Sequence, residues 1–100
     1  MNDVDWWRKA SFSLARALKV KPILSRVRID VFTFMNAPLQ DPANCYSSVK
    51  AMIDGLIDAK VLKDDTGAEI ASITFHAPER TSRRADQGVR LEIRPDVARD

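Results

Sequence analysis

Hydrophobic and polar positions alternate along three stretches of the chain, and this alternation predicts three strands. The first runs from Ser25 to Met35, the second from about Glu69 to His76, and the third follows Gly88 and ends at Pro95. β-Branched residues dominate the first stretch, and the third has the most regular pattern. The residues expected on the inner face of the sheet are Val27, Ile29, Val31, Ala71, Ile73, Phe75, Val89, Leu91 and Ile93.

Two other stretches follow the spacing of an amphipathic helix. The first helix is expected from an N-cap at Asp5 to about Val20, because Lys21 precedes a proline. Its apolar side is predicted to hold Trp7, Leu14 and Leu18, with Ala10 and Ala17 beside them. The second helix is expected from Ser47 or Ser48 to about Lys60, with a buried stripe of Val49, Met52, Ile53 and Leu56.

The element order α-β-α-β-β predicts a single α+β domain over residues 1–100. The expected architecture is a small, mostly antiparallel sheet of about three to four strands, packed by two helices. Phe32 and Phe34 make the end of the first strand apolar on both faces, which suggests cover by a helix or a partner subunit. Gly55 inside a helix suggests close approach by another backbone, and a helix of a dimer mate is one candidate.

Composition excludes several classes of function. The sequence has no run long enough to span a bilayer and no signal-peptide pattern at Met1, so a cytoplasmic location is expected. Cys45 is the only cysteine, which excludes an internal disulfide and a Cys-rich zinc site. No motif supports acyl transfer, nucleotide hydrolysis or zinc chemistry. A structural or surface role is expected for His76, the single histidine.

Charges are segregated along the chain although the net charge is only +2. No acid occurs between Trp6 and Ile29, a stretch that holds seven basic residues, and acids collect in the central part of the chain. A predicted mobile loop, 77–88, carries Arg80, Arg83 and Arg84. This distribution suits a protein that holds a polyanion at its rim, but a solvated basic helix face explains the charges equally well.

The stretch from Asp41 to Asp65 carries the candidate chemistry. Lys50 and Asp54 are four residues apart and share a helix face, with Asp41 before the helix and Asp64-Asp65 after it. Carboxylates at both ends of a helix that carries an ammonium group suit a divalent-metal site. The same acids are also common turn formers, and Lys50 with Asp54 also fits an exposed helix pair.

These residues resemble a known family. Asp41, Asn44, Lys50, Asp54-Gly55-Leu56 and Asp64-Asp65 are similar to the motif of the RusA-like Holliday junction resolvases of phages and bacteria, in the phage and actinobacterial form with a longer gap before the lysine. Trp7-Arg8 is similar to the start of the first helix in that family, whose members often have more residues before it, so a trimmed N-terminus is expected here. The resemblance extends from Trp6 to Ile93. Ala43 departs from it, because the family usually has a second acid there.

The resemblance implies a magnesium-dependent endodeoxyribonuclease, with Mg²⁺ or Mn²⁺ as cofactor, that cuts branched double-stranded DNA as a homodimer. Asp41 and Asp65 correspond to metal-binding catalytic acids, and Asp64 is a third metal ligand or orients the others. Lys50 is expected to stabilise the phosphate or position the nucleophile. The expected DNA-binding residues are Arg8, Lys9, Asn44, Arg80, Arg83 and Arg84. The alternative is a branched-DNA-binding protein of the same fold, whose catalysis is impaired by Ala43.

Overall fold

The computed structural model describes residues 4–36 and 46–96, which form two helices and a four-stranded sheet. The predicted α+β class and element order are therefore confirmed, with one short strand added. The elements in chain order are α1 (Val4–Ala17), β1 (Val27–Met35), α2 (Tyr46–Asp58), β2 (Ile70–Phe75), β3 (Glu79–Arg80), a 3₁₀ helix (Arg84–Asp86) and β4 (Gly88–Pro95).

The sheet is organised around β1, and two of its three strand pairings are parallel. β4 runs antiparallel along one edge of β1, from Val27 to Phe34. β2 and then β3 pair parallel with the opposite edge. The prediction of a mostly antiparallel sheet is wrong. The chain between β1 and β2 contains α2, which returns it to the beginning of β1, so that β2 starts opposite Val27 and runs in the same direction.

The core lies between β1 and α2. Val27, Ile29 and Val31 are almost fully buried and pack with Val49 and Ile53 of α2, as the two periodicities predict. Residues from the outer strands complete this layer: Ile70, Ile73, Phe75, Val89, Leu91 and Ile93. The opposite face of the sheet carries Arg28, Asp30, Phe32 and Phe34, which are exposed or only partly buried.

The helix α1 packs on α2 through small residues. Its buried positions are Ser11 and Ala15, whereas Leu14 and Leu18 are 59% and 66% exposed. The predicted apolar side of this helix is therefore wrong. A Cβ atom at Gly55 would overlap the Ser11 hydroxyl and the Arg8 carbonyl oxygen, so the two helices meet too closely for large side chains. The backbone that approaches Gly55 belongs to α1 of the same chain and not to a dimer mate.

Each helix is followed, two residues after its last residue, by a lysine with left-handed backbone geometry. Lys19 and Lys60 have φ angles of 53° and 67°. After each lysine, the next N–H returns to the carbonyl five residues earlier, from Val20 to Ala15 (3.0 Å) and from Val61 to Leu56 (2.9 Å). This is the Schellman motif, in which glycine usually occupies the left-handed position. This motif ends α1 at Ala17, whereas the proline at position 22 leads us to expect a helix that reaches about Val20.

The stretch predicted as a mobile loop, 77–88, contains β3 and the 3₁₀ helix. Its backbone is tied to the end of β1, because Thr81 N–H donates to the Met35 carbonyl (2.8 Å) and Asn36 donates to the Thr81 carbonyl (3.0 Å). The N–H of Asn36 also donates to the side chain of Gln87 (3.0 Å). This segment therefore contains short regular elements that the sequence analysis did not predict. Within the described residues, no helix has the length and apolarity that a membrane span requires.

Candidate functional site

The candidate site is centred on the ammonium group of Lys50. This residue follows the buried Val49 on α2, so its side chain leaves the helix at the edge of the packed stripe. Its Nζ donates to Asp54 Oδ1 at 2.9 Å, as the four-residue spacing predicts. It also donates to Asp65 Oδ2, which belongs to the loop after the helix. One cation therefore joins two carboxylates from different elements.

The loop geometry after α2 brings Asp65 to this position. Lys60 turns the chain out of the helix, and the carbonyl of Thr66 accepts hydrogen bonds from the N–H groups of Glu69 and Ile70 (both 2.9 Å). Between these two turns, the N–H of Asp65 donates to Asp64 Oδ1 at 2.8 Å. Asp64 thereby restrains the backbone that presents Asp65 to Lys50.

Lys50 and Asp65 each favour the ionised form of the other. The pKa of Lys50 is raised above its usual value, first by its hydrogen bond to Asp65 and then by the one to Asp54. The hydrogen bond and the charge of Lys50 lower the pKa of Asp65. All three side chains remain partly open to solvent, with exposed fractions of 43%, 30% and 35% for Lys50, Asp54 and Asp65. The cluster is therefore accessible to a ligand.

The predicted metal ligands are only partly within the described chain. Asp41 lies outside the described residues, as do Ala43 and Asn44. Asp64 and Asp65 are adjacent and exposed, and one oxygen of Asp65 is engaged by Lys50. Across residues 4–36 and 46–96, no three His, Cys, Asp or Glu side chains form a group able to hold a metal ion. A site of this kind therefore needs a ligand beyond Asp64 and Asp65.

The predicted DNA-binding residues fall into two groups. Arg8, Lys9 and Arg83 each have an acidic partner: Arg8 is bidentate to Asp58 (2.6 and 2.9 Å), Lys9 contacts Asp5 (2.9 Å), and Arg83 is bidentate to Asp86 (3.0 and 3.1 Å). The Arg8 pair fastens α1 to α2. Arg80 and Arg84 are exposed and form no ion pair within the described part of the chain, so their charges are the more available ones.

Sequence analysis missed a polar cluster on the open face of the sheet. His76 Nε2 lies 2.8 Å from Asp30 Oδ1, and Arg94 donates to the other oxygen of Asp30 at 2.9 Å. The imidazole stacks on Phe32, with ring centroids 4.4 Å apart and planes within 1°. Arg90 lies over the same phenylalanine at 4.7 Å. The alternation in β1 places Asp30 and Phe32 on one face, but only the parallel pairing with β2 brings His76 to them.

These contacts agree with the structural or surface role expected for His76. They also show what covers the apolar end of β1, because the Arg90 guanidinium lies over Phe32 and, at 5.4 Å, over Phe34. The hydrogen bonds from His76 and then Arg94 lower the pKa of Asp30. The open face is thus a network of paired charges.

Comparison of the chain with protein-family models, with curated proteins and with solved structures finds no match. The structural support for a function therefore comes from the fold and from the contacts of the candidate site.

Proposed function

We propose that this chain is a structure-specific endodeoxyribonuclease that cuts branched double-stranded DNA, such as a Holliday junction, by magnesium-dependent hydrolysis. One observation carries the proposal: Lys50 of α2 is hydrogen-bonded to Asp65, which comes from a separate loop. Lys50 and Asp65 are two of the three catalytic residues that the resemblance to RusA-like resolvases implies. A helix pair alone accounts for Lys50 with Asp54 but not for the convergence of Asp65.

In this proposal Asp65, Asp64 and Asp41 hold the metal ion. Bound Mg²⁺ would supply charge neutralisation at the scissile phosphate and activate a water molecule. The chain's own contribution is positioning. Asp64 restrains the Asp65 backbone, and Lys50 would supply a fixed positive charge for the phosphate. Asp54, which also accepts a hydrogen bond from Lys50, would hold that ammonium in position.

The expected assembly is a homodimer. Resolution of a four-way junction requires two symmetric incisions, and a two-fold dimer presents two identical sites through one interface. Basic residues that contact phosphates without reading bases would make binding fall steeply with salt. Light scattering of the free protein and of its junction complex tests the stoichiometry.

Cleavage of a synthetic four-way junction in Mg²⁺ tests the proposal directly. Asp65→Asn keeps the shape of the side chain and removes its charge, and should abolish cleavage while junction binding persists. Glu92→Gln is the matched control, because it also removes one carboxylate from an ion pair (with Arg90, 3.1 Å) but on β4. Cleavage that survives Asp65→Asn would exclude this site as the catalytic centre.

The alternative is a branched-DNA-binding protein of the same fold with impaired catalysis. One observation favours it: Ala43 stands where the resemblance implies a second acid. This alternative predicts salt-sensitive junction binding without strand scission in Mg²⁺ or Mn²⁺. Ala43→Asp then separates the two cases, since a gain of cleavage in this variant would identify a degraded site.

A further inference from the structure

The loop of residues 19–26, between α1 and β1, presents an unusually exposed apolar side chain. Leu24 is 94% exposed, the largest fraction among the large hydrophobic residues of the described chain. Val20, in the same loop, is 44% exposed. Leu24 therefore contributes little to the core, and its side chain is available for contact with a partner.

Hydrogen bonds on both sides of Leu24 hold the backbone of this loop in place. On one side, the N–H of Ile23 donates to the Val61 carbonyl at 2.8 Å. On the other side, Arg26 Nε donates to the Gly67 carbonyl at 2.9 Å, and the N–H of Val27 donates to the carbonyl of Glu69 at the same distance. The partners all lie between residues 61 and 69, the segment that also carries Asp64 and Asp65. The 19–26 loop is thereby tied to the candidate site.

The charges of the loop that carries Leu24 favour a polyanionic partner. Lys19 and Lys21 are exposed and have no acidic partner within residues 4–36 and 46–96. The open face of the sheet differs in this respect, because its arginines are neutralised by acids, as in the pair of Arg94 with Asp30 at 2.9 Å. Exposed lysines in the same loop as an exposed apolar side chain provide the two elements that DNA-bending proteins use, cations for the phosphates and an apolar side chain that enters between bases.

We propose that Leu24 is a wedge that inserts against bases at the branch point of a DNA junction, while Lys19 and Lys21 contact the flanking phosphates. This inference rests on the proposed function and adds a structure-recognition element to it. Bases at a branch point have fewer stacking neighbours than bases in a continuous duplex, so an apolar side chain enters there at lower cost. The wedge therefore gives preference for a junction over linear duplex without sequence readout.

The test uses a four-way junction with 2-aminopurine at the branch point, since its fluorescence rises when the base is unstacked. Wild-type protein should raise the fluorescence, and Leu24→Ala should abolish most of that rise. Leu24→Ala should also lower the preference for junction over duplex by about tenfold. Leu14→Ala is the matched control, because Leu14 is also exposed (59%) but lies on α1 outside the loop. Lys21→Gln should weaken binding to junction and duplex equally and leave the preference unchanged.

The outcomes separate this inference from the proposed function. If wild-type protein binds and cuts the junction and Leu24→Ala matches it in fluorescence and preference, the wedge is wrong and the nuclease remains. If wild-type protein binds no junction even at low salt, both fail. Binding of the wild type, but not of Leu24→Ala, to vesicles of phosphatidylserine and phosphatidylcholine in the absence of junction binding would overturn the wedge in favour of a lipid surface. Thermal melting of each variant verifies that the fold is intact.

Discussion

The hydroxyl of Ser11 on α1 lies directly over the Cα of Gly55 on α2, where any other residue would place its Cβ. This closeness allows the Ser11 hydroxyl to donate to the Met52 carbonyl at 2.8 Å. The contact sets the separation of the two helices. It therefore also sets the position of the α2 face that carries Lys50.

Gly55→Ala should strongly destabilise the protein. Alanine favours a helix over glycine by about 1 kcal/mol. However, its Cβ would collide with the Arg8 carbonyl as well as with the Ser11 side chain, and backbone cannot move aside cheaply. We expect a net loss of about 2–3 kcal/mol in the free energy of unfolding. Urea denaturation measures it. Gly67→Ala is the control, because a Cβ atom added at Gly67 would meet no atom within 4 Å, and its stability should stay near that of the wild type.

Lys60→Gly should stabilise the protein. Lys60 occupies the left-handed position of the Schellman motif at the end of α2, where a side chain costs about 1–2 kcal/mol and glycine has no such cost. The greater freedom of glycine in the unfolded chain offsets part of the gain, which leaves about 0.5–1 kcal/mol. Lys63→Gly serves as the control, because Lys63 is exposed without a positive φ and should show no gain. A loss of stability in Lys60→Gly would show that its side chain makes a contact that outweighs the strain.

Local patterns in the sequence predict some elements of this fold and miss others. Strands with one apolar face, such as Val89, Leu91 and Ile93 of β4, are predictable because burial of every second residue leaves a signal in each strand alone. The direction of β2 depends on how the chain crosses the sheet through α2, which no local pattern records. The buried face of α1 escapes prediction because contact with Gly55 selects small residues such as Ser11 and Ala15.

The candidate site is predictable where spacing alone places the residues. The pairing of Lys50 with Asp54 follows from four residues of helix. The position of Asp65 depends on the loop after α2, and its convergence on Lys50 is suggested only by the family resemblance. The link from Asp30 to His76 spans β1 and β2, so it requires the strand pairing. Local spacing therefore accounts for one of these three contacts, and the other two depend on tertiary structure.

Thr33→Val should stabilise the protein. The Thr33 hydroxyl is buried in the sheet and has no hydrogen-bond partner among the described residues. Valine has nearly the same shape, so the replacement removes a buried polar group without leaving a cavity. A gain of about 1 kcal/mol is expected, measured as a higher urea midpoint with an unchanged slope. Thr74→Val, at an exposed position of β2, is the control and should give little change. A destabilised Thr33→Val variant would reveal a hydrogen bond to that hydroxyl.

Asp30 should make the stability depend on pH in the acid range. Its pKa lies below the usual value because of the hydrogen bonds from His76 and Arg94. A carboxyl whose pKa is lower in the folded than in the unfolded state stabilises the fold above its unfolded pKa, and this contribution is lost as the pH falls through the folded pKa. The unfolding free energy of Asp30→Asn should therefore fall less than that of the wild type between about pH 5 and pH 2. Parallel curves for the two proteins would contradict the assignment.

Asp54→Asn tests whether Lys50 must be held from two sides. In the structure Lys50 donates to both Asp54 and Asp65, and the pKa of Lys50 is raised by both hydrogen bonds. If Asp65 turns to a metal ion during the reaction, Asp54 is the remaining partner that keeps the ammonium in position. Removal of its charge should lower the single-turnover rate of junction cleavage by about tenfold to a hundredfold, with the dissociation constant for the junction unchanged.

Asp58→Asn provides the matched control for this measurement, because it removes an ion pair with Arg8 from the same helix, one turn further on. It should lower the stability of the α1–α2 contact and leave the cleavage rate of the folded protein intact. Equal losses of rate in the two variants would indicate a general weakening of α2. A loss of junction binding in Asp54→Asn with an unchanged rate would assign Asp54 to substrate binding, because an interaction made only in the transition state alters the rate and not the affinity.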